Sequence, residues 1–284
     1  MMSEATRSIS GLTGPSKSSG EKSSETHEFD LGAIFPVLST HVLRSRSVDV
    51  ALDVALGGTV RVHSHESCPS FDLVLEGELE VHRSDRGAPE RLRANDTTKA
   101  VQGVAHWWRN PTKGPGRLHV TDLRPKDSDA AGPDSGHLPL DPAFEAGAQA
   151  EAEHHGPPAG LPKHVISGFE GPAVDIDEVN ILIDETPLAA EFPNTEGIKD
   201  LWMRARWIDV GVDGVVPLHD HRRRPNILRV MTGVLTFHGP RGMQAYPAGS
   251  LILEAGPEPH WWENRGHEPV RLYAVDIYDR AARE

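Results

Sequence analysis

The sequence repeats a distinctive phrase. "GVAHWWRNP" runs from Gly103 to Pro111, and "GPEPHWWENRG" runs from Gly256 to Gly266. The chain has six tryptophans, and these two places hold four of them. Upstream of each phrase the spacing is also conserved. His219 follows His63 by 156 residues, His221 follows His65 by 156, and Gly233 follows Gly77 by 156. An offset of 154 then links His260 with His106, Asn264 with Asn110, and Asp276 with Asp122. Self-similarity at a fixed offset marks an internal duplication, so each copy is expected to be one folding unit.

Within each copy the pattern is strand-like. "TVRVHSH" and "FDLVLEGELEVH" alternate apolar and polar residues over short runs, and Gly, Pro and Asn break them. Gly77 and Gly233 stand where a hairpin must turn tightly. Short strands with frequent breaks predict an all-β chain of antiparallel sandwiches or barrels. Residues 1–28, rich in Ser, Gly, Lys and Glu, read as a disordered tail. Residues 29–125 are the expected N-terminal barrel, 126–162 a Pro- and Gly-rich linker, and 163–284 the C-terminal barrel. The linker is allowed one short helix near Pro142 to Ala152, and its His154 and His155 read as solvated.

Charge and cysteine usage narrow the partners. Twenty-nine basic against 42 acidic residues leave a net charge of −13, which disfavours tracking nucleic acid or an anionic membrane. A single cysteine, Cys68, excludes an internal disulfide framework. With no apolar segment of spanning length and no signal-like leader, the expected location is cytoplasmic. Cys68 has no recognisable activating neighbour and reads as an inert thiol. The expected partner is a small molecule. Exposed sheet edges that require pairing add the expectation of a homodimer, or of the two barrels packed face to face within one chain.

The chemistry sits in the repeated histidines. His63 and His65 are two apart on a predicted strand, so both imidazoles point to the same side, and the same holds for His219 and His221. His106 and His260 open a later strand. Three neutral imidazoles from two strands form a facial site with open positions for a divalent transition metal. Iron(II) is the first choice because open positions on an imidazole face suit oxygen chemistry; manganese, nickel, zinc and copper are the alternatives. Trp108 and Trp262 lie on the same strand face as the third histidine, as walls of a substrate pocket or as barrel filler. Trp107 and Trp261 face the other way. Arg224, in the run Arg222-Arg223-Arg224, is a candidate for holding a substrate carboxylate.

These residues resemble the cupin superfamily, and the duplication resembles a bicupin. The family's first motif carries two histidines, a glutamate and a glycine. Its second carries Pro-x-Gly, a histidine and an asparagine. His63, His65, Gly77, His106 and Asn110 match in one copy; His219, His221, Gly233, Pro247, Gly249, His260 and Asn264 match in the other. The resemblance implies two double-stranded β-helix (jelly-roll) barrels, each with a metal inside. The motif glutamate falls at Ser70 and Asn226, neither of which is a carboxylate. The likeness then points to three-histidine oxygenases rather than to three-histidine-one-glutamate decarboxylases. Asn226 through its amide oxygen, Asp72 through its carboxylate, and Ser70 at the motif position are the candidate extra ligands. The resemblance implies a non-haem metal oxygenase acting on a small anionic, metal-chelating substrate. The alternatives are a redox-neutral isomerase, cyclase or lyase, or a binding protein without turnover. Copy two is the expected seat of chemistry, because it alone keeps the Pro-x-Gly turn.

Overall fold

The structure, a computed structural model, describes residues 6–9, 11–15, 21–50, 59–64, 68–100, 102–126, 149–151 and 158–282. His65, His154 and His155 lie outside the described residues. The chain divides into two compact units. One comprises Met1–Pro139 with Ala189–Gly197; the other comprises Leu140–Leu188 with Ile198–Glu284. Among the described residues, no helix is long and apolar enough to cross a membrane.

The described strands of the first unit form two larger sheets and a separate two-stranded one. β1 (Thr6–Ile9) and β2 (Leu12–Pro15) pair with each other, and β3 (Glu21–Asp30) pairs antiparallel with β4 (His41–Val50). Composition suggests no structure up to residue 28, yet strands occur there. The backbone groups of β3 find partners in β4, those of β1 and β2 in each other, and a polar edge strand needs little apolar content to be held by such pairing. The remaining strands are β5 (Thr59–Ser64), β6 (Ser70–Glu76), β7 (Glu78–Arg83), β8 (Glu90–Arg93), β9 (Thr97–Ala100), β10 (Ala105–Arg109) and β11 (Arg117–Pro125). They form a four-stranded sheet, β5-β10-β7-β8, and a five-stranded sheet, β3-β4-β11-β6-β9. Val74, Leu79, Val81, Leu92, Trp108, Leu118 and Val120 fill one buried cluster drawn from both sheets.

The second unit contains β12 (Gln149–Glu151), β13 (Lys163–Ile166), β14 (Phe169–Pro172), β15 (Ile176–Pro187), β16 (Leu201–Thr232), β17 (Val234–Gly239), β18 (Gly242–Pro247), β19 (Leu251–Glu263) and β20 (Val270–Asp279). β13 and β14 form a separate hairpin. The rest form one sheet in the order β12-β18-β17-β19-β16-β15, with β20 also on β16. Where a linker helix is expected, the described part, Gln149–Glu151, is instead a strand on β18, whose exposed edge supplies the backbone partners. β16 is a single extended run of 32 residues. It pairs β20 twice, over Leu201–Val210 and again over Asn226–Thr232, and bulges between Val216 and Asn226 in its pairing with β19. The bulges bend it from one pairing to the next and place the histidine pair at the bend.

The duplication is preserved in register. His106 faces His63, and His260 faces His219. Trp107 faces His82, and Trp261 faces His238. Those histidines, which seem partnerless in the sequence, are repeat mates: His82 stacks on Trp107 at 3.8 Å and His238 on Trp261 at 3.6 Å. Strand alternation thus assigns each His-Trp-Trp three jobs, with the two flanking residues on one face and the middle tryptophan on the other. Asn110 and Asn264 close the following loops, donating to the carbonyls of Gly114 and Glu268 and accepting from the amides of Thr112 and Gly266. Gly77 and Gly233 both adopt positive φ, 80° and 76°. A Cβ on Gly77 would lie 2.2 Å from the Pro115 carbonyl oxygen, and one on Gly233 would lie 2.8 Å from Val270 Cγ2. Only glycine satisfies both demands.

A further repeat stands upstream, at an offset of 160: Arg44, Arg46, Asp49 and Val50 against Arg204, Arg206, Asp209 and Val210. Arg44 grips Asp122 through Nε and Nη2, and Arg204 grips Asp276 likewise at 3.0 and 2.7 Å. The forks tie β4 to β11 and β16 to β20, the last strand of each unit, and a buried carboxylate is held there by a bidentate guanidinium.

Candidate metal centre

Among the described residues, one group of side chains can hold a metal ion: His219, His221, Glu254 and His260. β16 supplies the first two and β19 the others. Their ligand atoms all lie within 4.8 Å of one another. Atoms about 2.1 Å from a common metal lie at most about 4.2 Å apart, so the cluster is slightly wider than a closed coordination sphere.

The tautomers are set by the backbone. His219 Nδ1 lies 2.7 Å from the Pro217 carbonyl oxygen, His221 Nδ1 2.6 Å from that of Arg224, and His260 Nδ1 3.1 Å from that of Glu258. Each of these carbonyls can take an Nδ1–H, which leaves the Nε2 of His219 and of His221 as lone pairs facing inward, as outer partners of metal-bound histidines do. Burial holds His219 down at about 3, helped by the neighbouring His260 and His221, and holds His221 at about 4 although Glu254 opposes this. Both are neutral at any ordinary pH. Among the described residues His221 Nε2 has no hydrogen-bond partner, while it lies 3.2 Å from Glu254 Oε2. Two buried acceptors face each other, an arrangement that a cation between them relieves. The residues therefore fit a divalent metal.

Glu254 is fixed from three sides. Trp262 Nε1 donates to its Oε1 at 2.8 Å, Asn226 Nδ2 donates to its Oε2 at 2.9 Å, and His260 Nε2 lies 2.9 Å from Oε1. Burial alone would raise this carboxyl, but His221 and His260 hold it well below the usual carboxylate range. Burial lowers His260 too, and its bond to Glu254 more than reverses this.

This carboxylate is what a reading of the motif alone misses. The family's position is Asn226, and Asn226 pairs directly across the ladder with Glu254. In the first unit the equivalent pair is Ser70 with Ala100. The acid has crossed from one strand to the next, and six residues before His260 is where it stands in the sequence. Copy one offers a different one: Asp72 Oδ2 is 4.0 Å from His106 Nε2, with Ser70 Oγ donating to Asp72 Oδ1 at 3.0 Å. The His63 and His106 rings are 4.4 Å apart.

A cavity of about 190 Å³ opens on the centre. Trp262 and Arg224 line it, as do Glu178, Asn180, Arg206 and Asn226. Trp108, a candidate pocket wall, is instead 1% exposed in the apolar cluster of its own unit, because Val74, Leu79 and Leu118 close around it. Burial raises the Glu178 carboxyl above its ordinary value, although Asn180 donates to it. Cys68 is also pushed up, to about 11, by burial and by Asp122, which disfavours its thiolate.

The fold and the paired motifs are similar to those of cupin domains, with the motif residues present twice. Residues 51–122 match the cupin domain family, and the second unit carries the same motif residues. Similar solved structures include protein Ylba from E. coli, at 11% identity over 91% of this chain and 84% of that one, with a TM-score of 0.54. Another is salicylate 1,2-dioxygenase from Pseudaminobacter salicylatoxidans, at 12% identity over 82% and 70%, with a TM-score of 0.52. At such identities the likeness is one of fold. No curated protein sequence matches the chain.

Proposed function

We propose that the C-terminal unit is the catalytic half of a metal-dependent enzyme, a non-haem iron(II) oxygenase acting on a small anionic molecule that chelates the metal. The observation that carries this reading is the buried, neutral His221 Nε2 set against the Glu254 carboxylate with no proton to share. His219, His221, His260 and Glu254 would hold the ion. Mixed imidazole and carboxylate donors suit iron, with manganese, nickel, zinc and copper as the competitors. A bound metal with open positions would polarise a chelated substrate and bring oxygen beside it. Trp262 and Asn226 orient the carboxylate. Val216, Leu228 and Leu272 give the cavity apolar walls that limit water around the reacting groups.

A second reading, a redox-neutral isomerase or lyase, is favoured by Glu178. Its carboxyl lines the same cavity with a raised pKa, as a proton-transferring group needs. The chain purified and loaded anaerobically with iron(II) separates the two. We expect one tightly held metal per chain in the second unit and oxygen uptake with diketones, catechols or thiols. Turnover without oxygen uptake would replace the oxygenase with the isomerase or lyase; a chain that holds no metal would sink both. His63, His65, His106 and Asp72 are the proposed set of the first unit, and a count of two metals per chain would support it.

A further inference from the structure

Arg206 is an unusual resident of the cavity. It is 9% exposed and belongs to the upstream repeat, where its neighbour Arg204 already satisfies Asp276 with a bidentate grip. Arg206 is held by two further bonds: one Nη1–H donates to Asn180 Oδ1 at 2.7 Å, and one Nη2–H donates to Asp276 Oδ2 at 2.9 Å. These fix the plane of the guanidinium. Its Nε–H, buried, has no hydrogen-bond partner among the described residues, and the side chain lines the cavity of the metal centre. A buried charged donor without an acceptor is costly, and native structures seldom leave one unless something else supplies it. Arg224 lines the same cavity, and its carbonyl anchors His221, which fixes its backbone beside the centre.

We propose that Arg206, assisted by Arg224, is the anchor for a substrate carboxylate, so that the cavity selects a small monocarboxylate whose opposite end chelates the metal. A planar carboxylate suits the side of a fixed guanidinium. Glu178 on the cavity wall disfavours a dianion such as phosphate, because it adds a negative charge opposite the two arginines. A cavity of about 190 Å³ admits a compact molecule and no polymer. The proposal rests on the metal reading only for the orientation of the ligand's far end.

The test uses the full chain loaded with cobalt(II) and two probes, the monohydroxamate of succinic acid and the same hydroxamate with its carboxylate replaced by a carboxamide. Affinities come from calorimetry, and metal content is measured in parallel. The wild-type chain should bind the carboxylate probe about 10–100-fold more tightly, as a charge-assisted fork predicts. Arg206→Gln should abolish that preference with cobalt stoichiometry unchanged, and Arg224→Gln should reduce it severalfold. Asp276 keeps Arg204 in the variant, so the fold should survive. If Arg206→Gln fails to fold, Arg206→Lys keeps the charge, lacks the Nε–H, and should still lose most of the preference. Equal binding of the probes by wild type, or a preference that persists in folded Arg206 variants, overturns the proposal. A chain that takes up no cobalt defeats the metal reading alone. Succinamate, the monocarboxylate, against succinamide on the metal-free chain then decides the anchor, with equal binding sinking it.

Discussion

Asn226 and Glu254 face each other across β16 and β19, and the amide of the first donates to the carboxylate of the second at 2.9 Å. The acid can therefore be traded across the ladder. Glu254→Asn should lower metal affinity by more than about 100-fold, and Asn226→Ala by about 10–100-fold through loss of orientation. The double variant Asn226→Glu, Glu254→Asn should recover most of the affinity lost by Glu254→Asn. Metal titration of the three proteins checks this. No recovery in the exchanged pair would mean the two positions are not interchangeable as ligands.

Replacing His219, His221 and His260 together with alanine should remove the tightly bound metal and all turnover. The matching change at His63, His65 and His106 should leave both in place, with a lower melting temperature as its main effect. Metal analysis and turnover on the two variants side by side make the comparison. A dead copy-one variant beside a working copy-two variant would move the chemistry to the first unit, with Asp72 as its carboxylate.

The stacked pairs predict a stability difference between the copies. Trp261 is fully buried among Val215 and Leu218, whereas Trp107 is half-buried. Trp261→Ala should cost about 3–5 kcal/mol, and Trp107→Ala about 1–3 kcal/mol. Denaturant unfolding measures both, and equal costs would show that the stacks do not differ in how deeply they anchor their units.

Cys68 offers a pH test. Burial lifts its thiol from 9.0 to about 11, so the neutral form is favoured. At pH 8 its alkylation by iodoacetamide should run about 100-fold slower than that of an ordinary thiol, since the thiolate reacts. The folded thiol binds its proton more tightly than the unfolded one. Its contribution to stability is therefore complete below pH 9 and fades as pH rises through about 11. Fast alkylation at pH 8 in the folded chain would contradict the burial.

Much of this was legible in the residues. The constant offsets announced two units, and the His-x-His pairs with His106 and His260 marked where strands converge, because register carries sequence spacing directly into space. Glu254 was not legible. A carboxylate six residues before a histidine has no meaning until β19 is known to bulge against β16. Arg206 hid for a similar reason: the repeat at offset 160 is visible in the letters, but which arginine is saturated by Asp276 and which is not depends on side-chain geometry. Trp108 and Trp262 occupy equivalent positions, and only Glu254 gives one of them a polar task. The strands before residue 28 escaped notice because pairing to a neighbour needs no apolar signature.

The 32 residues of β16 hold Arg206, His219, His221, Arg224 and Asn226 on one unbroken run. A strand advances by about 3.3 Å per residue and reverses its facing at every step, so the 13 positions from Arg206 to His219 would set the two on opposite faces. The bulge between Val216 and His219 adds the step that brings both to the cavity. Losing or gaining one residue between Arg206 and His219 would turn the arginine away from the histidines, whereas a change of two would restore its facing and displace it by nearly 7 Å. Substitutions along this run are free to retune the pocket, but its length is not, and variation in the size of the accepted molecule has to come from side chains rather than from insertions.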